Sequence, residues 1–127
     1  MHQVGGLCLK YTIFGVVLMT LHYFASILSS LNLKINDLYS IHMINFFLSF
    51  ICSLILLLIL PKMKNKIGFV FIGLSTIKFF VIIVFVALSI MNKIEVENIA
   101  LQFICVTLLY LFFDVKWIIT QISSSKT

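Results

Sequence analysis

The chain has 127 residues, of which 62% are hydrophobic and only 10% charged, and its mean hydropathy is +1.21. An ordinary soluble domain carries roughly 25% charged residues, and a soluble fold of this size could not cover so much apolar surface with so few polar groups. A soluble enzyme, a disordered segment and a disulfide scaffold are thereby excluded, and one integral membrane domain is expected over the whole chain. The net charge of +5 comes from nine lysines against four acids, with no arginine. In a membrane protein such a balance belongs to loops beside anionic lipid. No basic face interleaved with base-stacking aromatics points to nucleic acid.

A spanning helix needs about 20 apolar residues, and four runs qualify: about 11–31, 39–60, 67–91 and 98–122. Lys10 precedes the first run, as in a signal peptide. The run is long for a signal sequence, however, and the stretch from Ser26 to Ser30 lacks an A-x-A cleavage site. A retained span is therefore expected. The second run stops at the chain's one proline, Pro61, which cannot continue a helix, and the basic turn Lys62 to Lys66 follows. The third run closes at the polar segment Asn92 to Glu97, and the fourth is followed by Ser123 to Thr127. Short loops force neighbouring helices to be antiparallel, so the expected fold is an all-α, up-down, four-helix membrane bundle.

Lysine counting orients it. With four spans, both chain ends and the middle loop share one side, which holds Lys10, Lys62, Lys64, Lys66, Lys116 and Lys126. The other side holds Lys34 and Lys93, diluted by Asp37, Glu95 and Glu97. The basic side is cytoplasmic by the positive-inside rule, so both termini are expected in the cytoplasm and the protein in the cell inner membrane. Tyr11, Tyr39 and Trp117 lie near span ends, where aromatic belts form. Cys8, Cys52 and Cys105 are an odd, widely spaced set that cannot close a disulfide framework. Cys52 and Cys105 are expected to be small buried hydrophobes.

Polar and small residues recur at three- and four-residue steps in every run. The first gives Thr12, Gly15, Met19, His22, Ser26 and Ser29. The second gives His42, Asn45, Ser49 and Cys52. The third gives Gly68, Phe71, Ser75, Lys78, Ile82, Phe85 and Ser89, and the fourth Phe103, Thr107, Tyr110, Asp114, Trp117 and Gln121. Such spacing lays each set on one helix face. Lipid does not reward polar groups, so these faces should meet inside the bundle, with His22, Asn45, Ser75, Thr107 and Tyr110 as an interior polar stripe. Phe79, Ile83 and Leu108 should turn toward lipid or a partner.

Lys78 falls near the bilayer centre, where an unpaired ammonium costs roughly 2.5–3.5 kcal/mol or more. Asp114 is the one acid inside a run. Both heads reach a depth of about 10 Å from the cytoplasmic boundary, counting 1.5 Å per residue and the lean of lysine toward its helix N-terminus. A Lys78–Asp114 pair is expected, against the alternative of a snorkelling Lys78 with Asp114 near Lys116 or water. Haem ligation by His22 and His42 would need one common depth, but His22 falls near mid-span and His42 near an outer end. No cofactor or metal is expected. G-x-S-x-G, P-loop and H-E-x-x-H motifs are absent, so no catalytic constellation stands out and a non-enzymatic protein is expected.

The segment Lys66-Ile67-Gly68-Phe69-Val70-Phe71-Ile72-Gly73-Leu74-Ser75-Thr76-Ile77-Lys78-Phe79-Phe80, with the continuation from Ile99 to Asp114, resembles small flavobacterial four-helix membrane proteins. Those proteins look like the ATP synthase protein I family. The resemblance covers roughly residues 40–122 and rests on Gly73 and Lys78, with Asp114 where the flavobacterial proteins tend to have glutamate. It implies an accessory role near the rotary ATP synthase, in assembly of its membrane ring or in cation supply. The expected partners are the lipid bilayer and a membrane protein or a second copy of the chain. A small transporter or an ion or proton conduit along the polar stripe is the alternative, although the first run lacks the glutamate on which small multidrug exporters rely. A four-span lipid-linked sugar flippase has no anchoring motif here.

The lysine count predicts that a single cysteine replacing Lys64, in a background with the three native cysteines removed, resists an impermeant thiol reagent added outside intact cells. Labelling from that side would reverse the orientation.

Overall fold

The computed structural model describes residues 2–29, 34–92 and 97–124, the side chains at 2, 64, 89, 97 and 98 excepted. Lys93, Glu95 and Lys126, and the side chains of Lys64, Ser89 and Glu97, lie outside the described residues. Among the described residues four α-helices follow one another: α1 (His2–Leu28), α2 (Ile35–Ile59), α3 (Ile67–Met91) and α4 (Glu97–Ser124). All four are long and apolar enough to cross a membrane, which makes the chain a multi-pass membrane protein by length and composition. In lipid no water satisfies backbone polar groups, so continuous helices are the natural solution for such runs.

The breaks have local causes. Pro61 has no amide hydrogen, and α2 ends just before it. The amides of Lys62 and Met63 both turn back to the carbonyl of Ile59, at 2.9 and 3.0 Å. One short 3-10 turn, Lys64–Lys66, then leads into α3. The first helix differs from its expected bounds, beginning at His2 rather than Tyr11 and ending at Leu28. Lys10 does not stop it, because its side chain is exposed on the outer surface, and a lysine there can lay its stem along the helix and lift the ammonium toward water. Leu7, one turn earlier, is buried against the far end of α2 and the start of α3.

The second helix is the hub. It packs against α1, α3 and α4. One apolar cluster gathers Leu7, Tyr11, Leu56, Leu57, Leu60, Ile67, Trp117 and Ile118. Another gathers Ile41, Ile82, Phe103, Val106 and Tyr110. The polar residues of α2, His42, Asn45, Ser49 and Ser53, are all buried and run along its face at steps of three and four.

Several expected positions are corrected. Cys105 is exposed and Cys52 only half-buried, since Cys105 falls on the outward side of α4, away from the line of Phe103, Thr107 and Tyr110. Tyr11 and Trp117 are buried rather than set in an aromatic belt, whereas Tyr39 is exposed. Thr12, Ser29 and Gly68 face outward. The hydroxyls of Thr12 and Ser29 bond the carbonyls of Cys8 and Ala25 on their own helix, so they need no neighbour. Phe79 is half-buried, while Ile83 and Leu108 are exposed as expected.

Gly15 is the one glycine against a neighbouring helix. A Cβ there would meet the Phe46 ring and the Tyr110 hydroxyl at 3.2 Å each, while at Gly73 nothing lies within 4 Å. Gly15→Leu should destabilise the bundle by about 1–3 kcal/mol through overpacking. Gly73→Leu should leave stability unchanged or raise it by up to about 1 kcal/mol through helix propensity. Thermal unfolding in detergent compares the two, and equal effects would contradict the packing of α1 on α2 and α4.

Candidate functional site

Lys78 lies on α3, eleven residues beyond Ile67 and so about 16 Å along the helix. Its side chain is 2% exposed. Nζ stands 2.8 Å from Asp114 Oδ2 on α4 and also donates to Ser49 Oγ on α2. Ser49 in turn donates to Asp114 Oδ2 at 3.2 Å. The other carboxylate oxygen, Oδ1, accepts from the Tyr11 hydroxyl of α1 at 2.5 Å. A phenol has one hydrogen, so Ser53 Oγ, also 2.5 Å away, is the donor to Tyr11. All four helices thus converge on one carboxylate, which accepts three hydrogen bonds and faces one ammonium.

Every member of the cluster is buried. Residues of the apolar clusters lie around it: the Tyr11 ring meets Phe113 edge-on at 5.1 Å, and the Tyr110 ring centroid lies 6.0 Å from Nζ. Lys116, the alternative neighbour for Asp114, is exposed on the outside of α4.

A second group of polar contacts lies beyond Asn45. Thr107 Oγ1 is 3.0 Å from Asn45 Oδ1 and 2.8 Å from the carbonyl of Phe103, and Asn45 Nδ2 donates to the carbonyl of Ile41 at 3.0 Å. Further along, His22 Nδ1 lies 2.9 Å from His42 Nε2, and His22 Nε2 lies 2.8 Å from Gln102 Oε1. The two histidines therefore share one depth, contrary to expectation. Because α1 begins at His2, His22 sits six residues from the end of its helix, Leu28, and His42 seven residues from the start of its own, Ile35. Their ring nitrogens face each other. Among the described residues no three of His, Cys, Asp and Glu converge as a metal-binding group.

Of the expected stripe, Asn45, Thr107 and Tyr110 are buried, and His22 and Ser75 are half-buried. Tyr11, Ser53 and Gln102 complete the network without having been singled out as interior residues. Tyr11 was legible in the spacing Leu7, Tyr11, Phe14, Leu18 and His22, the inward line of α1. Gln102 lies one residue off the stripe of α4 and carried no periodic signal. No protein-family model, curated protein or solved structure matches the chain.

Breaking a buried pair from one side leaves an uncompensated charge, at a cost of about 3–5 kcal/mol. Lys78→Met and Asp114→Asn should each lower unfolding stability in micelles by that order, and the double substitution should recover most of it. Additive losses in the double-mutant cycle would show that the two groups are not coupled. Tyr11→Phe, which removes one hydrogen bond to a charged group, should cost about 1.5–3 kcal/mol.

Proposed function

We propose that the protein is a non-enzymatic accessory or assembly factor for a larger membrane complex, such as the rotary ATP synthase, and that it resides in the cell inner membrane. The observation that carries this reading is the closure of the ion-pair network. Lys78, Ser49, Tyr11 and Asp114 bond to one another, with Ser53 behind them. A network spent on its own members serves to lock helices together. It suits a scaffold better than a site that must bind and release a substrate.

The up-down, antiparallel arrangement belongs to the same proposal. Its support is the order of contacts. Tyr11 meets Ser53 and Asp114, whereas His22, further along α1, meets the earlier residues His42 and Gln102. Likewise Lys78 meets Ser49, whereas the earlier Leu74 carbonyl lies 4.0 Å from the later Cys52 Sγ. Cytoplasmic termini are favoured by Lys62 and Lys66, exposed between α2 and α3, and by Lys10 and Lys116, exposed in the halves of α1 and α4 that this arrangement gathers on the same side.

The partner surface follows from α1 and α3, which present Ile13, Val17, Phe24, Phe69, Ile72 and Phe80 outward. Lipid covers such a surface, and so does another membrane helix. Gly73, which carries part of the family resemblance, lies on that outer side of α3 with open space beside it. A small residue there permits close helix approach. A small transporter or an ion or proton conduit is the second reading. It is favoured by the polar line from His42 to Ser53 along α2, about 16 Å at 1.5 Å per residue.

In a strain lacking the gene, the fraction of ATP synthase with a complete membrane ring should fall. Wild type and the Lys78→Met/Asp114→Asn double variant should restore it, and Gly73→Leu should not, although it folds. Full ring assembly in the deletion strain would overturn the accessory reading. A proton flux in proteoliposomes that the folded double variant loses would transfer the case to the conduit.

A further inference from the structure

The half of the bundle where α1 ends and α2 begins holds a polar cluster that the ion pair does not use. Its protons can be counted. The Gln102 side-chain oxygen only accepts, so the hydrogen of the 2.8 Å contact sits on His22 Nε2. A neutral imidazole carries one N–H, so His22 Nδ1 is bare, and His42 Nε2 must donate across the 2.9 Å contact. His42 is then left with a bare Nδ1. That nitrogen is buried and has no hydrogen-bond partner among the described residues, as are the Gln102 amide nitrogen and the Tyr110 hydroxyl. The whole His42 residue is 3% exposed.

Of the four ring nitrogens, His42 Nδ1 is the one whose lone pair is left free by these contacts. A proton added at His42 Nδ1 breaks neither existing hydrogen bond. It turns the N–H···N contact between the rings into a charge-assisted bond, which is stronger. A second proton has no place, because His22 Nδ1–H would then face His42 Nε2–H.

We propose that His22 and His42 form a one-proton binding site, given its direction by Gln102 and loaded at His42 Nδ1. Hydronium supplies the proton, the Nδ1 lone pair becomes the new N–H bond, and one water molecule is left. His42 stands seven residues into α2, about 10 Å from its start, so the proton arrives from the side on which α1 ends and α2 begins.

The surroundings favour this assignment. On α1 the neighbouring Tyr23 is exposed and turned away. On α2, Asp37 stands half-buried in the first turn and Lys34 is exposed before it. The third helix offers Ile82 and Phe85 to this end of the core, neither of which titrates. On α4, Gln102 is neutral and Tyr110 lies two turns further on. Lys78 and Asp114 lie beyond Asn45 and Thr107, already matched to each other. The site holds whether or not the protein serves a larger complex.

The test is histidine nitrogen NMR on the full chain in nanodiscs of phosphatidylcholine and phosphatidylglycerol, with His2→Asn removing the third signal. At high pH both rings should be Nε2–H tautomers with bare Nδ1. Acidification over roughly pH 8 to 3 should move both rings at one common midpoint, with the new N–H on His42 Nδ1 and a single proton gained by the ring pair. Gln102→Glu should tighten proton binding about tenfold or more, by placing a carboxylate against His22, and helix content by circular dichroism checks its fold. Two separate midpoints, two protons gained by the ring pair, an Nδ1–H tautomer on His42 at high pH, rings that do not titrate, or a midpoint unmoved by folded Gln102→Glu would each overturn the proposal.

Discussion

An ammonium set a dozen residues into a membrane helix cannot be left alone, and the bundle is organised around that fact. Lipid offers Lys78 no counter-charge, and snorkelling from such a depth is incomplete. The carboxylate comes from α4, but an ion pair by itself leaves lone pairs unsatisfied. Ser49 and Tyr11 supply the remaining donors from α2 and α1. One charge therefore draws on all four helices. It also explains the small hydroxyls on the inner face of α2. A serine at position 49 bonds both charges and leaves room for α3 and α4 to close over it, which a leucine would do neither way.

Two populations of polar side chain coexist in the helices, and they obey different rules. Thr12, Thr20, Ser29, Ser40, Thr76 and Thr120 are exposed and bond the carbonyl four residues earlier in their own helix. That bond lets a hydroxyl face lipid at little cost. Asn45, Ser49, Ser53, Thr107 and Asp114 are buried, and their side chains reach across helix boundaries. Only the second population carries information about which faces meet.

That distinction decides how much was legible in the sequence. The four runs and their approximate ends follow from hydropathy and from Pro61, because length and composition act locally. Lys78 and Asp114 could be matched because Lys78 is the sole charge in its run, Asp114 is the sole acid in any run, and depth is simple arithmetic in a helix. The inward face of α1 is harder to read, since Thr12 and Ser29 look polar in the sequence yet bond carbonyls of their own helix. Tyr11 reads as a belt residue because it follows Lys10, but Lys10 lies on the surface of a helix that begins at His2. The same displaced boundary separated His22 from His42 in depth. Their contact, and that of Gln102, depends on the register of three helices, which no single run encodes.

The distance along the chain between the charged partners has a consequence for how the protein is made. Lys78 precedes Asp114 by 36 residues. At about 5–20 residues per second of synthesis, roughly 2 to 7 seconds separate them. Among the described residues, Ser49 is the bonded partner of Lys78 already in existence throughout that interval, and it cannot neutralise the charge. Release of α3 into lipid before α4 emerges would leave the ammonium without a counter-charge, at a cost of roughly 2.5–3.5 kcal/mol or more. The hydroxyl-lined face of α2 is in place first, and the arrival of α4 removes that cost.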